Sequence, residues 1–201
     1  MISAYVSDYL NQITTEEKTI LDGKKTIDRN LYMQGKGNTV NSKKLLDTGK
    51  LISMRKHTRF IDFPEHTHDY VEVVYMYEGS TKHLVDGREI VLSKGELLLL
   101  GQTARHEVLR AGEKDIAINF IVLPQFFGDT LMAIGDEDTP LKKFINDCLC
   151  GNKVGYKYLY YRVSGICEIQ NTMDNLLLAV MSDAPNKRKL TQMTMALLFL
   201  Q

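Results

Sequence analysis

The chain has 201 residues, long enough to bury a full core without disulfide or metal staples. Its 25 Lys and Arg balance 25 Asp and Glu, so there is no overall basic field of the kind that draws in a phosphate backbone. Three cysteines, Cys148, Cys150 and Cys167, fit neither a zinc ribbon nor a disulfide framework and read as reduced thiols. Met1–Leu21 carries Asp8, Glu16 and Glu17 and no long apolar run. No signal peptide is expected there, no later segment suits a membrane span, and a cytoplasmic location is expected.

In chain order, residues 1–43 read as a polar, partly helical arm. Thr14 followed by Glu17 is a capping-box signature that predicts a short helix through Leu21, and Gly35–Asn41 reads as irregular. From about Leu45 to Pro124 the pattern is one of short strands: Leu51–Lys56, Tyr70–Tyr77, Thr81–Val85, Arg88–Leu92, Glu96–Leu100, His106–Leu109 and Asp115–Leu123. Asp86-Gly87 is a two-residue hairpin signal, and the unbroken Leu97–Leu100 run predicts a strand buried on both faces. Many short strands at close spacing imply a sandwich or barrel. Thr139-Pro140 is a helix start, and Tyr156–Val163 reads as one more strand. Apolar residues at three- and four-residue steps predict a helix carrying Ile166, Ile169, Met173, Leu176, Leu177 and Val180. A last helix carries Leu190, Met193, Leu197 and Leu198. The expected division is therefore an arm over 1–43, a barrel over 44–165 and a helical segment over 166–201.

The stretch Pro64–Gly79 carries the chemistry. His66, His68 and Glu72 share parity, so in one extended strand they point the same way. With His106 from a later strand they form a three-His, one-carboxylate set suited to zinc, nickel, manganese or iron. The plainer alternative is a set of polar barrel-lining groups bonded to one another, to water or to a ligand. Arg55 and Arg59 are candidate clamps for an anionic or hydroxylated ligand, or else a solvated edge. Tyr70, Tyr75 and Tyr77 are candidates for stacking or for packing, and His83 reads as a surface or structural residue. Lys187-Arg188-Lys189 reads as a solvated helix start.

These residues carry a resemblance. His66, His68, Glu72 and Gly79 follow the first cupin motif, with Phe60 in place of its leading glycine. Gly95 and His106 follow the second, with Gly101, Thr103 and Arg110 standing where Pro, Gly and Asn are usual. Lys50–Phe60, the His-x-His stretch and Asp115–Pro124 together resemble the sensing domain of AraC-type transcription regulators, over about Thr15 to the end. The resemblance implies a cupin jelly-roll barrel followed by amphipathic helices. It implies a small-molecule effector, sugar-like or another small metabolite, bound by Arg55, His66, His68, Glu72 and His106, and a homodimer formed through the C-terminal helices. It further implies that DNA is met through helix-turn-helix motifs that would follow Gln201 in a longer chain, and that the domain is not an enzyme. The competing reading is a stand-alone cupin metalloenzyme, an isomerase or dioxygenase, with its metal on the same four residues.

Overall fold

In the computed structural model, residues 4–128, 138–151 and 155–201 are described. Four short helices precede or flank the barrel: α1 (Ala4–Asn11), α2 (Thr15–Leu21), α3 (Arg29–Tyr32) and α4 (Ser42–Leu45), with the two-residue strand β1 (Thr39–Val40) between the last two. Eight strands follow: β2 (Ile52–Lys56), β3 (Phe63–His68), β4 (Val71–Glu78), β5 (Ser80–Val85), β6 (Arg88–Ser93), β7 (Leu97–Leu100), β8 (His106–Val108) and β9 (Ile116–Val122). After a 3-10 turn at Pro124–Phe126 come α5 (Pro140–Cys150), β10 (Tyr158–Tyr161), α6 (Cys167–Met181) and α7 (Lys187–Leu200).

The strands form two five-stranded sheets, ordered β1-β3-β8-β5-β6 and β10-β7-β4-β9-β2. Every pairing is antiparallel except β1 on β3. Together they make a jelly-roll barrel whose second sheet is covered on its outer face by helices. Strand parity sorts the core accordingly. Val71, Val73 and Tyr75 of β4, Leu97 and Leu99 of β7, and Ile118 and Phe120 of β9 join α5–α7 in one apolar cluster. Their neighbours Val74, Met76, Leu98, Leu100 and Ala117 point the other way, into the barrel. That is why Leu97–Leu100 needs no alternation: each face of β7 meets a different core.

Several local expectations hold. Thr14 and Glu17 make both bonds of a capping box at the start of α2. Thr139 caps α5 through the Lys142 amide, with Pro140 at the first position. Asp86 and Gly87 both have positive φ, 46° and 79°, as a type I′ hairpin requires. The cysteines are free, and burial pushes the Cys148 thiol up to about 12, so it acts as a packing group. No helix among the described residues is long and apolar enough to cross a membrane.

Three expectations need correction. Gly35–Asn41 is not wholly irregular, because Thr39 and Val40 pair with Thr67 and His68 and stitch the arm onto the barrel's edge. Phe63–His68 is a strand that the alternation pattern does not reveal, since Pro64, Glu65 and Thr67 leave it polar. His66, His68 and Glu72 therefore do not lie on one strand. A bend at Asp69-Tyr70 separates β3 from β4, which belong to opposite sheets. The arm holds that corner: the Asp69 carboxylate accepts the Ser42 amide at 2.7 Å, and the Asp69 amide donates to the Val40 carbonyl at 3.2 Å. Gly79, the last residue of the first motif, turns with φ +74°, and a Cβ there would meet Asp115 Oδ1 at 2.3 Å. Phe60, which replaces that motif's leading glycine, keeps the glycine-type backbone with φ 71°.

Candidate functional site: a histidine cluster beneath the N-terminal arm

All five histidines of the chain are buried in the barrel, His57, His66, His68, His83 and His106 being at most 6% exposed. Their placement follows from register. His66 of β3 lies directly opposite His106 of β8, and His83 of β5 pairs with Val108, two residues from His106. Glu72 comes from the facing sheet, where it pairs with Leu100 and Ile121. Three ring nitrogens converge: His106 Nε2 is 2.8 Å from His66 Nε2 and 3.1 Å from His68 Nε2. Glu72 Oε2 stands 3.5 Å from His68 Nε2 and 3.7 Å from His106 Nε2. The four residues predicted as a ligand set are thus brought together, across the barrel and not along one strand.

The protonation pattern is strongly constrained. His66 Nδ1 lies 2.8 Å from the Pro64 carbonyl, so it donates there and leaves Nε2 as a bare lone pair facing the cluster. An N–H on His106 Nε2 then donates to His66 Nε2. Burial pushes His57 and His66 down to about 4 and His83 down to about 3. His68 and His106 fall well below the ordinary imidazole value for the same reason, assisted by neighbouring histidines. Burial pushes the Glu72 carboxyl up to about 7, against the lowering effects of the Asn119 amide bonded at 2.9 Å and of the Arg55 charge. Glu72 Oε2, His57 Nε2, His68 Nδ1, His83 Nδ1 and His106 Nδ1 are buried without hydrogen-bond partners.

Above the cluster lies a cavity of about 30 Å³, room for one or two water molecules. Its walls come from two parts of the chain. Tyr32, Val40 and Leu45 lie before the first long strand, while Arg55, His57, His66, Glu72 and His106 belong to the barrel. Arg55, opposite Asn119 on β9, is held at the rim by Glu16 of α2 at 2.7 Å and by the Tyr32 hydroxyl. Arg59 is placed differently from the expected clamp: it is 3% exposed, and Glu17 takes its guanidinium at 2.7 Å. Tyr70 lines the cavity, whereas Tyr75 and Tyr77 pack toward the helices, with the Tyr75 hydroxyl donating to Gln170 at 2.8 Å.

Sequence reasoning missed Tyr32, Thr58 and Asn119, and it undervalued His83. For His83 a signal existed. In β5 the buried positions are Thr81, His83 and Val85, with Lys82 and Leu84 facing out, so parity alone puts His83 inside. For Tyr32 and Thr58 there was none, because their role depends on how the arm folds back.

Residues 54–140 match the family model of the AraC-like ligand binding domain. That match takes in most of the barrel strands. Among solved structures, the fold is similar to that of ToxT from Vibrio cholerae. An apo single-residue variant of ToxT matches with a TM-score of 0.52 and 10% identity, over 76% of this chain and 55% of that one. The wild-type protein bound to an unsaturated fatty acid matches with a TM-score of 0.48 and 13% identity, over 77% and 53%. KdgF from Halomonas is similar over 38% of this chain and 84% of that one, with 15% identity and a TM-score of 0.31. This chain therefore spans about half the length of the ToxT structures it matches. No curated protein matches the sequence.

Proposed function

We propose that this domain senses a small molecule for an AraC-type transcription regulator, taking the effector into the histidine-lined end of the barrel and reporting it through the arm. The observation that carries this reading is the shared wall of the cavity. Tyr32, Val40 and Leu45 close over barrel residues that would touch a ligand, so a ligand larger than a water or two enters only by moving the arm. Sites for small molecules usually enclose about 300–1,000 Å³. An effector that prefers one of two arm arrangements shifts the balance between them, and only such a preference can. Leu178 of α6 and Leu190, Met193 and Leu197 of α7 are exposed apolar residues, which supports a homodimer formed through these helices. DNA binding would lie outside this barrel, and a catalytic role is not part of the reading.

A thermal-shift screen of small metabolites tests it. A true effector at 100 times its Kd adds about 2.7 kcal/mol, which raises Tm by about 5–10 °C for a domain of this size. The same compound should change the rate at which trypsin cuts the arm at the exposed Lys24 and Lys25. A broad screen without a saturable shift would overturn the sensor reading.

One observation favours a second component, a resident divalent metal ion. His66, His68 and His106 present ring nitrogens to a common point, and Glu72 Oε2 faces two of those nitrogens without any other partner. Ligand bonds of about 2.1 Å at near-right angles put neighbouring donor atoms about 3 Å apart, close to the 2.8 and 3.1 Å that separate His106 Nε2 from the His66 and His68 nitrogens. Zinc, nickel, manganese or iron would suit the set, and the ion would supply a Lewis acid at the cavity floor. Protein purified without an affinity tag or chelator is then expected to carry about one ion per chain by elemental analysis, and His68→Ala to carry none. Metal-free wild-type protein whose Tm is unmoved by added zinc or nickel would sink the idea. The metalloenzyme reading would additionally need turnover, which a cavity of this size does not favour.

A further inference from the structure

The barrel rim already holds a carboxylate, and that carboxylate is the chain's own. Glu16 Oε2 accepts from Arg55 Nη2 at 2.7 Å, from the Tyr32 hydroxyl at 2.5 Å and from Thr58 Oγ1 at 3.1 Å. The three donors are preorganised among themselves. Tyr32 and Thr58 hydroxyls lie 2.9 Å apart, Arg55 also donates to the Tyr32 hydroxyl, and its guanidinium stacks 4.3 Å from that ring's centre. All three donor residues line the cavity. The Glu16 side chain is 7% exposed, and its other oxygen, Oε1, is buried without a partner.

We propose that Arg55, Tyr32 and Thr58 form a carboxylate-binding subsite, that Glu16 is its built-in occupant, and that effectors of this domain are small monocarboxylates that displace Glu16. The inference rests on the reading that the barrel takes an effector, and it names the chemical class. Charge balance selects that class. When Glu16 leaves, Arg55, whose side chain is 31% exposed, loses its carboxylate partner, so a newcomer that brings one negative charge restores the pair, whereas a neutral sugar leaves the guanidinium to solvent alone. A free carboxylate can meet the guanidinium fork with both oxygens, whereas Glu16 engages it through one. Beyond the rim the walls become apolar at Val40, Leu45, Phe63, Val108 and Ile121, which suits a short hydrocarbon body. Displacement need not unfold the arm. Glu17, the next residue of α2, has both oxygens satisfied by Arg59 and the Thr14 amide, so it stays anchored while Glu16 moves.

The test uses sodium propionate as the probe, with sodium chloride at equal ionic strength as control. Thermal melting of the wild type, Glu16→Ala and Glu16→Ala/Arg55→Met is followed against propionate concentration. In Glu16→Ala, propionate should raise Tm saturably with a half-effect at least tenfold below that of the wild type. The double variant should show no saturable response, and chloride should not reproduce the effect in any form. Equal responses in all three proteins, or a response to chloride alone, would overturn the subsite. Should Glu16→Ala not fold, Glu16→Gln, which keeps the side-chain volume and loses the charge, is expected to show the same tenfold gain. Failure here is separable from failure of the sensor reading. A domain with some other effector leaves the propionate titration flat while the metabolite screen succeeds, whereas a saturable propionate response of Glu16→Ala beside a failed screen of the wild type keeps the subsite and overturns the sensor.

Discussion

Metal-free protein is expected to unfold steeply as the pH falls through about 5. In an unfolded chain a histidine titrates near 6.5. In the fold, burial holds His57 and His66 at about 4, His83 at about 3, and His68 and His106 well below the ordinary range. The sign follows from proton counting. Between 6.5 and the folded values the unfolded state binds more protons, so stability is full above 6.5 and is lost as pH falls through that window. Glu72 works the other way. Its folded value of about 7 lies above its unfolded one, so between the two the fold holds an extra proton and offsets one histidine. Four protons net correspond to about 5 kcal/mol per pH unit at full difference, against a total stability of about 5–15 kcal/mol. An acid titration in chelator, followed by circular dichroism, should therefore give a cooperative transition between pH 4 and 6. His83→Leu should make it shallower by about one proton. A midpoint below about 3.5, or an unchanged slope in the variant, would show that the five rings do not drive acid unfolding.

That histidine cluster shows how far the sequence could be read. The identities of His66, His68, Glu72 and His106 stood out because their spacing is unusual, and the structure gathers all four. Their geometry was not legible. Parity within one strand predicts convergence only if the strand continues, and the turn at Asp69-Tyr70 is imposed by Ser42 and Val40 of the arm, more than 25 residues away. The outer strands were readable where each face meets a chemically distinct environment, as in Thr81–Val85. The polar strand β3 was not, because its partners β1 and β8 supply the order that its own residues do not signal. Helix starts were legible because a cap is local: Thr14 and Glu17 are three residues apart and satisfy each other. Glu17's second task, gripping Arg59 across 42 residues, carried no mark. Even the replacement of the motif's leading glycine by Phe60 misleads on sequence alone, since the backbone there keeps its positive φ.

Glu17→Ala is expected to destabilise the domain by about 3–5 kcal/mol, the usual cost of leaving a buried ion unpaired. Four donors converge on this fully buried carboxylate: the Thr14 amide at 2.7 Å, the Arg59 amide at 3.2 Å, and Arg59 Nε and Nη2 at 2.7 and 3.1 Å. Burial by itself would raise the carboxyl's pKa, but the Arg59 and Thr14 bonds outweigh it and hold the group below its ordinary value. Its contribution is thus present above the unfolded pKa near 4.5 and is lost only as pH falls through the lower folded one. Removal also strands Arg59, whose remaining bonds reach the backbone carbonyls of Glu113 and Gln12. Thermal melting should fall by about 6–20 °C, given about 2–4 °C per kcal/mol for chains of this length. Glu17→Met/Arg59→Met should recover part of that loss, because two apolar side chains of similar length leave no unpaired charge. Glu16→Ala, one residue away, removes a carboxylate with one unsatisfied oxygen and should cost less than half as much. If the two substitutions prove equally costly, Glu16 is a structural anchor like its neighbour and not a displaceable occupant of the rim. A large difference leaves α2 with one fixed grip at Arg59 and one releasable grip at Arg55, the arrangement an effector needs to shift the arm without unfolding it.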